Sequence, residues 1–255
     1  VGKSRVSIGG CSYRLFAMEL AMISHRRDFL LGLGSFCTFP NKVFAFNHGR
    51  FVVNIMPLGD SITAGQNDSY GSYRRLLYSL LTSVNLPLNF VGELQSGDFP
   101  DPDHEGLSGY VIDGIWGQVD RAFIIERFSP NIILLIIGTN NIWHGIDPTH
   151  GEDPSYSLST MVFLLDSIST HGPNVKTLVG SIPPIDVSVA GSTVSANVDV
   201  FNAGLPSVIA DAGANFSFVD INAGLTTSDL VDGVHPTDAG NDKIANIWAP
   251  AILAL

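Results

Sequence analysis

An α/β domain with a parallel sheet covered on both faces is predicted by three features of this 255-residue chain. From residue 51 onward, short apolar runs alternate with stretches of helical periodicity, the pattern of β-α units. Proline and glycine punctuate the joins, at Ser129-Pro130, His171-Gly172-Pro173 and Pro183-Pro184. The run 132–137 (IILLII) is apolar without interruption, as expected of a strand buried on both sides.

The elements follow in order. Residues 51–58 (FVVNIMPL) read as the first buried strand, and helical periodicity over 73–81 follows the glycines at 65 and 71. Residues 88–94 form the second expected strand, and 98–105 (DFPDPDHE) an acidic, proline-containing loop. A helix over 111–128 leads into the third strand, 131–137. Helix 159–169, strand 176–182, helix 198–212, strand 215–221 and a last helix over 238–254 complete five strands. In such a sheet, ligands bind at the carboxyl ends of the strands. No internal repeat or low-complexity linker interrupts the pattern.

The first 45 residues have another character. His25-Arg26-Arg27-Asp28-Phe29-Leu30-Leu31 places paired arginines before an apolar stretch that ends near Phe39, and Val43-Phe44-Ala45 offers a cleavage site. This matches a bacterial twin-arginine export signal, with Met18 or Met22 as the start and the domain at 46–255 secreted or periplasmic. The other reading is an N-terminal helix that happens to hold two adjacent arginines. The apolar stretch is too short to span a bilayer, so no stable membrane anchor is expected. Both cysteines, Cys11 and Cys37, fall in this segment, and Cys37 follows Phe36, which does not suit a lipoprotein anchor.

Charge narrows the partners. The whole chain carries −11; without residues 1–45, seven basic residues face 22 acidic ones, a formal charge of −15. Such a surface repels nucleic acid and anionic membranes and favours a neutral substrate. With 45% hydrophobic residues and 26 glycines, the composition is that of a packed globular enzyme.

Chemistry is concentrated at the strand ends. Gly59-Asp60-Ser61-Ile62-Thr63 puts a serine where the first strand turns into a helix, with backbone N–H groups beside it. Asp232-Gly233-Val234-His235-Pro236 supplies a base and a carboxylate to orient it. Ser61 and His235 can share a proton only within one domain, which must therefore span at least 59–235. Gly138-Thr139-Asn140-Asn141 sets an amide donor at the end of the third strand, and 104–110 (HEGLSGY) offers glycine N–H groups.

These four blocks, in this order, resemble the SGNH, or GDSL, hydrolase superfamily over residues 46–255. The flanking text is most similar to the carbohydrate esterases of family 3, the acetylxylan esterase group: IMPLGDSIT, GSYRRLLYSLL, DHEGLSGYVIDGI, LLIIGTNNI and DGVHPTDAGNDKIA. The resemblance implies a flavodoxin-like three-layer sandwich on a five-stranded parallel sheet. It implies Ser61 as nucleophile, His235 as general base and Asp232 as its orienting partner. Ser61 N–H, Gly109 N–H and the Asn140 side chain match the oxyanion donors. Where the family often has aspartate after the third-block asparagine, this chain has Asn141. No cofactor or metal is implied, and the substrate is an acetylated carbohydrate or another small ester. A lipid or aryl esterase, or a thioesterase, is the alternative on this fold. A catalytically silent carbohydrate-binding or adhesion protein is the alternative outside enzymes.

Other residues have plainer readings beside functional ones. Asp60 reads as a loop-ordering acceptor, and His104 and Glu105 as either structural or site-lining. Asp98, Asp101 and Asp103 lack EF-hand spacing and fit a solvated loop. His144, His150 and His171 lack metal-ligand partners at suitable intervals. Tyr70, Tyr73, Tyr110 and Trp143 flank the blocks as sugar platforms or as packing aromatics. The G-x-S-x-G elbow of α/β-hydrolases is absent.

Overall fold

A computed structural model of the chain describes residues 52–67, 70–144 and 153–255. The export-signal expectation, both cysteines and His150 lie outside the described residues. Strand β1 (Val53–Gly59) is followed by the single-turn helix α1 (Ser61–Ala64) and by α2 (Ser72–Ser83). Three short strands come next, β2 (Leu88–Phe90), β3 (Leu94–Gln95) and β4 (Asp103–Gly106). Helices α3 (Ile112–Asp120) and α4 (Ile124–Phe128) precede β5 (Ile132–Ile136), α5 (Thr139–His144) and α6 (Pro154–His171). The chain closes with β6 (Lys176–Gly180), α7 (Val187–Ala212), β7 (Phe216–Val219) and α8 (Asp238–Leu253).

The parallel strands lie in the order β4-β1-β5-β6-β7, with β2 also paired to β1. Residues 53–55 of β1 pair with β2, and Leu58 and Gly59 pair with β4, so two short strands share one flank of β1. The expected five parallel positions are therefore present, with the second divided. The sequence expectation of a loop over 98–105 is corrected: it contains most of β4, to which β3 adds an antiparallel edge. Its polar letters masked a strand because His104 and Glu105 are buried against internal partners.

Period-two alternation divides the core into two layers. Ile133 and Leu135 of β5 pack with α3, α6 and α7, while Ile132, Leu134 and Ile136 pack with α2 and α8 around Tyr73 and Trp248. Each such side chain contributes about 1.5–3 kcal/mol on burial. The helix expected over 111–128 is two helices, because Phe123 adopts φ 54° and breaks the ladder. Helix α7 starts eleven residues earlier than the periodicity suggested, capped by Asp186 and kinked at Gly191.

The C-terminal turn of α6 is tied to α3 and α4 through His171. Its Nδ1 lies 2.6 Å from Glu126 Oε1 and its Nε2 3.6 Å from Asp120 Oδ1. The hydrogen bond with Glu126, helped by both carboxylates, holds the imidazole above the usual histidine range against the opposing effect of burial. A histidine raised on folding stabilises fully below its unfolded pKa and loses that contribution as pH rises through the folded one. Wild type should therefore exceed His171→Gln in Tm at about pH 6, with the difference vanishing by about pH 9. A Tm difference independent of pH would show that the ring acts only by packing.

Candidate active site

Ser61 sits at the first position of α1, directly beyond β1. The turn is tight because neighbouring backbones crowd it. A Cβ at Gly59 would overlap the Ile136 carbonyl of β5, and one at Gly106 would overlap the Ala64 N–H. Only hydrogen fits at either position. Asp60 caps the helix, its Oδ1 accepting from Ile62 N at 2.9 Å, as the sequence reading expected of a loop-ordering acceptor.

Ser61, His235 and Asp232 are brought together. Ser61 Oγ lies 2.9 Å from His235 Nε2, and His235 Nδ1 lies 2.7 Å from Asp232 Oδ2. Asp232 Oδ1 accepts from the backbone N–H groups of Val234 and His235, so the carboxylate and the ring belong to one compact loop. Partial burial works against the Asp232 charge. The His235 backbone N–H, the His235 ring and the Val234 N–H outweigh it and hold the carboxyl below its usual range. Asp232 is thereby an anion at neutral pH, fixed to Nδ1–H and leaving Nε2 to face the serine.

A fourth group holds this arrangement, and the sequence reading missed it. Asn67 Nδ2 donates to Asp232 Oδ2 at 2.8 Å, on the oxygen that also faces the histidine. Asn67 reaches it from the turn after α1 with φ 63°, a conformation asparagine tolerates better than most residues. Its one sequence signal was an asparagine just past Gly65.

The candidate oxyanion donors lie beyond three different strands. Ser61 follows β1, Gly109 lies in the loop after β4 with φ 80°, and Asn140 stands in the first turn of α5 beyond β5. Asn140 Nδ2 donates to the Tyr110 carbonyl at 2.9 Å, which fixes the amide plane and leaves its second N–H to point elsewhere. Asn141 is fully buried, and its Oδ1 accepts from Ile112 N at 2.9 Å. The residue that departs from the usual family text thus ties the α5 block to the start of α3.

Beneath α1 lies a buried polar cluster. Arg74, fully buried, donates to the carbonyls of Thr63, Ala64, Ser96 and Pro102 and to Ser96 Oγ. His104 Nδ1 accepts from Gly106 N, so its Nε2–H donates to Ser96 Oγ, 2.9 Å away. Burial first, and the Arg74 charge second, push His104 down to about 3 and keep it neutral. Of the two readings left open for His104 and Glu105, the structural one holds: Glu105 Oε2 accepts from Glu93 N. In the neighbouring acidic stretch, Asp101 accepts from Phe90 N and Asp103 from Gln95 Nε2. Tyr73 is core, bonded to Thr63 and packed on Trp248, whereas Tyr70 is exposed and Tyr110 half-buried beside Gly109. Trp143 stacks on His144 at 4.1 Å.

The model of the GDSL-like lipase/acylhydrolase family matches residues 58–243. The chain belongs to that family. A multidomain esterase of Ruminococcus flavefaciens is 33% identical over 78% of this chain, which spans only 28% of that relative's length. A family 3 carbohydrate esterase of Clostridium thermocellum is 30% identical with a TM-score of 0.65, covering 80% of this chain and 98% of its own. A family 3 carbohydrate esterase of Talaromyces cellulolyticus is 26% identical, with a TM-score of 0.65, 79% of this chain and 97% of its own. Membership in the GDSL-like family supports carboxylic ester hydrolysis as the activity of this domain. Among the described residues, no helix is long and apolar enough to cross a membrane.

Asp60 gives this site a measurable pH signature. Its Oδ2 and the Thr139 hydroxyl are both buried without a hydrogen bond of standard geometry, although the hydroxyl is near enough to ease the charge slightly. Burial pushes the carboxyl up to about 7, against the opposing bonds from the Ile62 and Asp60 N–H groups and Thr139. A carboxyl raised on folding costs stability as pH climbs from its unfolded value through the folded one. Asp60→Asn keeps the acceptor for Ile62, so its Tm should match wild type at about pH 4 and exceed it at about pH 8. An offset that does not change with pH would mean that folding leaves the Asp60 carboxyl near its ordinary range.

Proposed function

We propose that this GDSL-like domain is a serine esterase that removes short acyl groups, chiefly acetyl, from carbohydrate such as xylan. The observation that carries it is the continuous path from Ser61 Oγ through His235 to Asp232, at 2.9 and 2.7 Å. Ser61 Oγ attacks the ester carbonyl while His235 Nε2 takes its proton, and Asp232 stabilises the imidazolium that forms. The carbonyl oxygen, now an anion, is held by Ser61 N–H, Gly109 N–H and Asn140 Nδ2. As the intermediate collapses, His235 returns the proton to the departing sugar oxygen, which leaves as a hydroxyl. A water then gives a proton to His235 and its oxygen to the acyl carbon, and His235 passes that proton to Ser61 Oγ as the acid leaves, restoring the enzyme.

The substrate follows from two supports. Relatives of 30% and 26% identity over most of the chain are named carbohydrate esterases of family 3. The acidic balance of 46–255 suits a neutral polymer better than an anionic lipid surface. A second reading, a lipid or aryl esterase, has one observation in its favour. Val187, Val189 and Val231 remain exposed around the loop that carries Asp232, with Val189 packed beside Gly233.

Ser61→Ala should abolish hydrolysis of every ester tested, and Asn140→Ala should lower kcat by about 10²–10³-fold, as loss of one oxyanion donor does. Near-normal turnover by folded Ser61→Ala would refute the mechanism. Across a series of 4-nitrophenyl esters, kcat/KM should fall from acetate to octanoate, with acetic acid released from acetylated xylan. The reverse order, with no release from xylan, would select the lipid or aryl reading.

A further inference from the structure

Beside Gly109 a groove of about 570 Å³ runs along one face of α3. It does not include Ser61; it begins at the Gly109 oxyanion donor and leads away from it. We propose that this groove binds the saccharide part of the substrate, adjacent to the ester being cleaved. The proposal rests on the esterase reading above and adds to it a site for the leaving group.

The lining suits a hydroxylated ring better than an acyl chain. Tyr110, Asp113, Gln118 and Arg121 supply its polar groups, and Gly109 and Gly117 its bare floor. A Cβ added at Gly109 or Gly117 would meet nothing within 4 Å, so both backbones face open space. The Tyr110 ring lies against Gly114, where a Cβ would strike it, and presents an aromatic surface beside the floor. Gln118 Nε2 and Tyr110 Oη are 3.4 Å apart, a long bond that leaves both with capacity for ligand hydroxyls. Asp113 Oδ2 is buried and has no hydrogen-bond partner among the described residues. A buried acceptor without a donor is costly, and it belongs to a residue that also lines the groove.

Charge and size point the same way. Asp113 and Arg121 are of opposite sign, so the groove favours no net charge on its ligand. Its volume lies within the range of about 300–1,000 Å³ typical of small-molecule sites. Position completes the case. Tyr110, which lines the groove, accepts from Asn140 through its carbonyl, so a sugar seated against Tyr110 lies against the residue that anchors Asn140 and next in sequence to Gly109. The groove therefore reads the sugar while the strand ends hold the carbonyl.

Gly117→Leu would fill the floor from a helical position with open space above it, and Asp113→Ala would remove the unpartnered acceptor. Circular dichroism and Tm establish that each variant folds. Two quantities are then read: the ratio of kcat/KM on acetylated xylo-oligosaccharide to that on 4-nitrophenyl acetate, and the Kd for unacetylated xylotetraose. In Gly117→Leu the ratio should fall and the Kd rise by about tenfold or more, with smaller changes of the same sign in Asp113→Ala. If wild type deacetylates the oligosaccharide and both variants keep ratio and Kd within about twofold, the groove proposal is overturned while the esterase reading stands. If wild type cleaves 4-nitrophenyl acetate but not the oligosaccharide, the carbohydrate reading fails. Xylotetraose binding that Gly117→Leu abolishes would then still support the groove, and no binding by wild type would overturn it.

Discussion

A helix of four residues has no stability of its own, yet α1 carries Ser61. Everything around it compensates. Asp60 caps the Ile62 N–H, Arg74 binds its terminal carbonyls, and two strands press against it at glycines 59 and 106. The serine is therefore fixed by surroundings rather than by its own element, which is the condition for aiming a hydroxyl within hydrogen-bond reach of a histidine 174 residues away. The buried Arg74 charge is tolerable because its guanidinium is surrounded by acceptors, and the neutral His104 beside it adds no second charge.

The opposite wall of the site solves a different problem. Asp232 is partly exposed to water, where a carboxylate's interactions are weakened, so its hold on His235 depends on several short bonds at once. The loop supplies two backbone donors to one oxygen, and Asn67 reaches across from the serine side to the other. That last bond joins the two ends of the chain's chemistry. The nucleophile turn and the base loop share an atom, Asp232 Oδ2, so a shift in one is felt by the other.

Much of this was legible in the sequence. The apolar runs gave the parallel strands because a strand covered on both faces has no polar option, and the four blocks singled out Ser61, His235 and Asp232, which the fold brings within hydrogen-bond reach. What escaped is equally physical. Strand β4 reads DHEG, and no hydropathy pattern marks a strand whose polar side chains are satisfied inside the protein. The break at Phe123 lies in a left-handed conformation that an aromatic residue does not announce. Asn67 and Arg74 act through partners far away in sequence, at Asp232 and Pro102, and periodicity carries no information about such pairs. The groove along α3 depends on the absence of side chains at Gly109 and Gly117, which sequence alone reads as turn and helix noise.

The claim on which the rest stands is that His235 and Asp232 make Ser61 a nucleophile. An alkyl fluorophosphonate, which bonds irreversibly only to an activated serine, tests it directly when the labelled peptide is located by mass spectrometry. One label is expected per chain, on Ser61, with the rate of labelling falling sharply in His235→Gln while the fold remains intact. A label on another serine, or labelling of Ser61 at the wild-type rate in His235→Gln, would contradict the account.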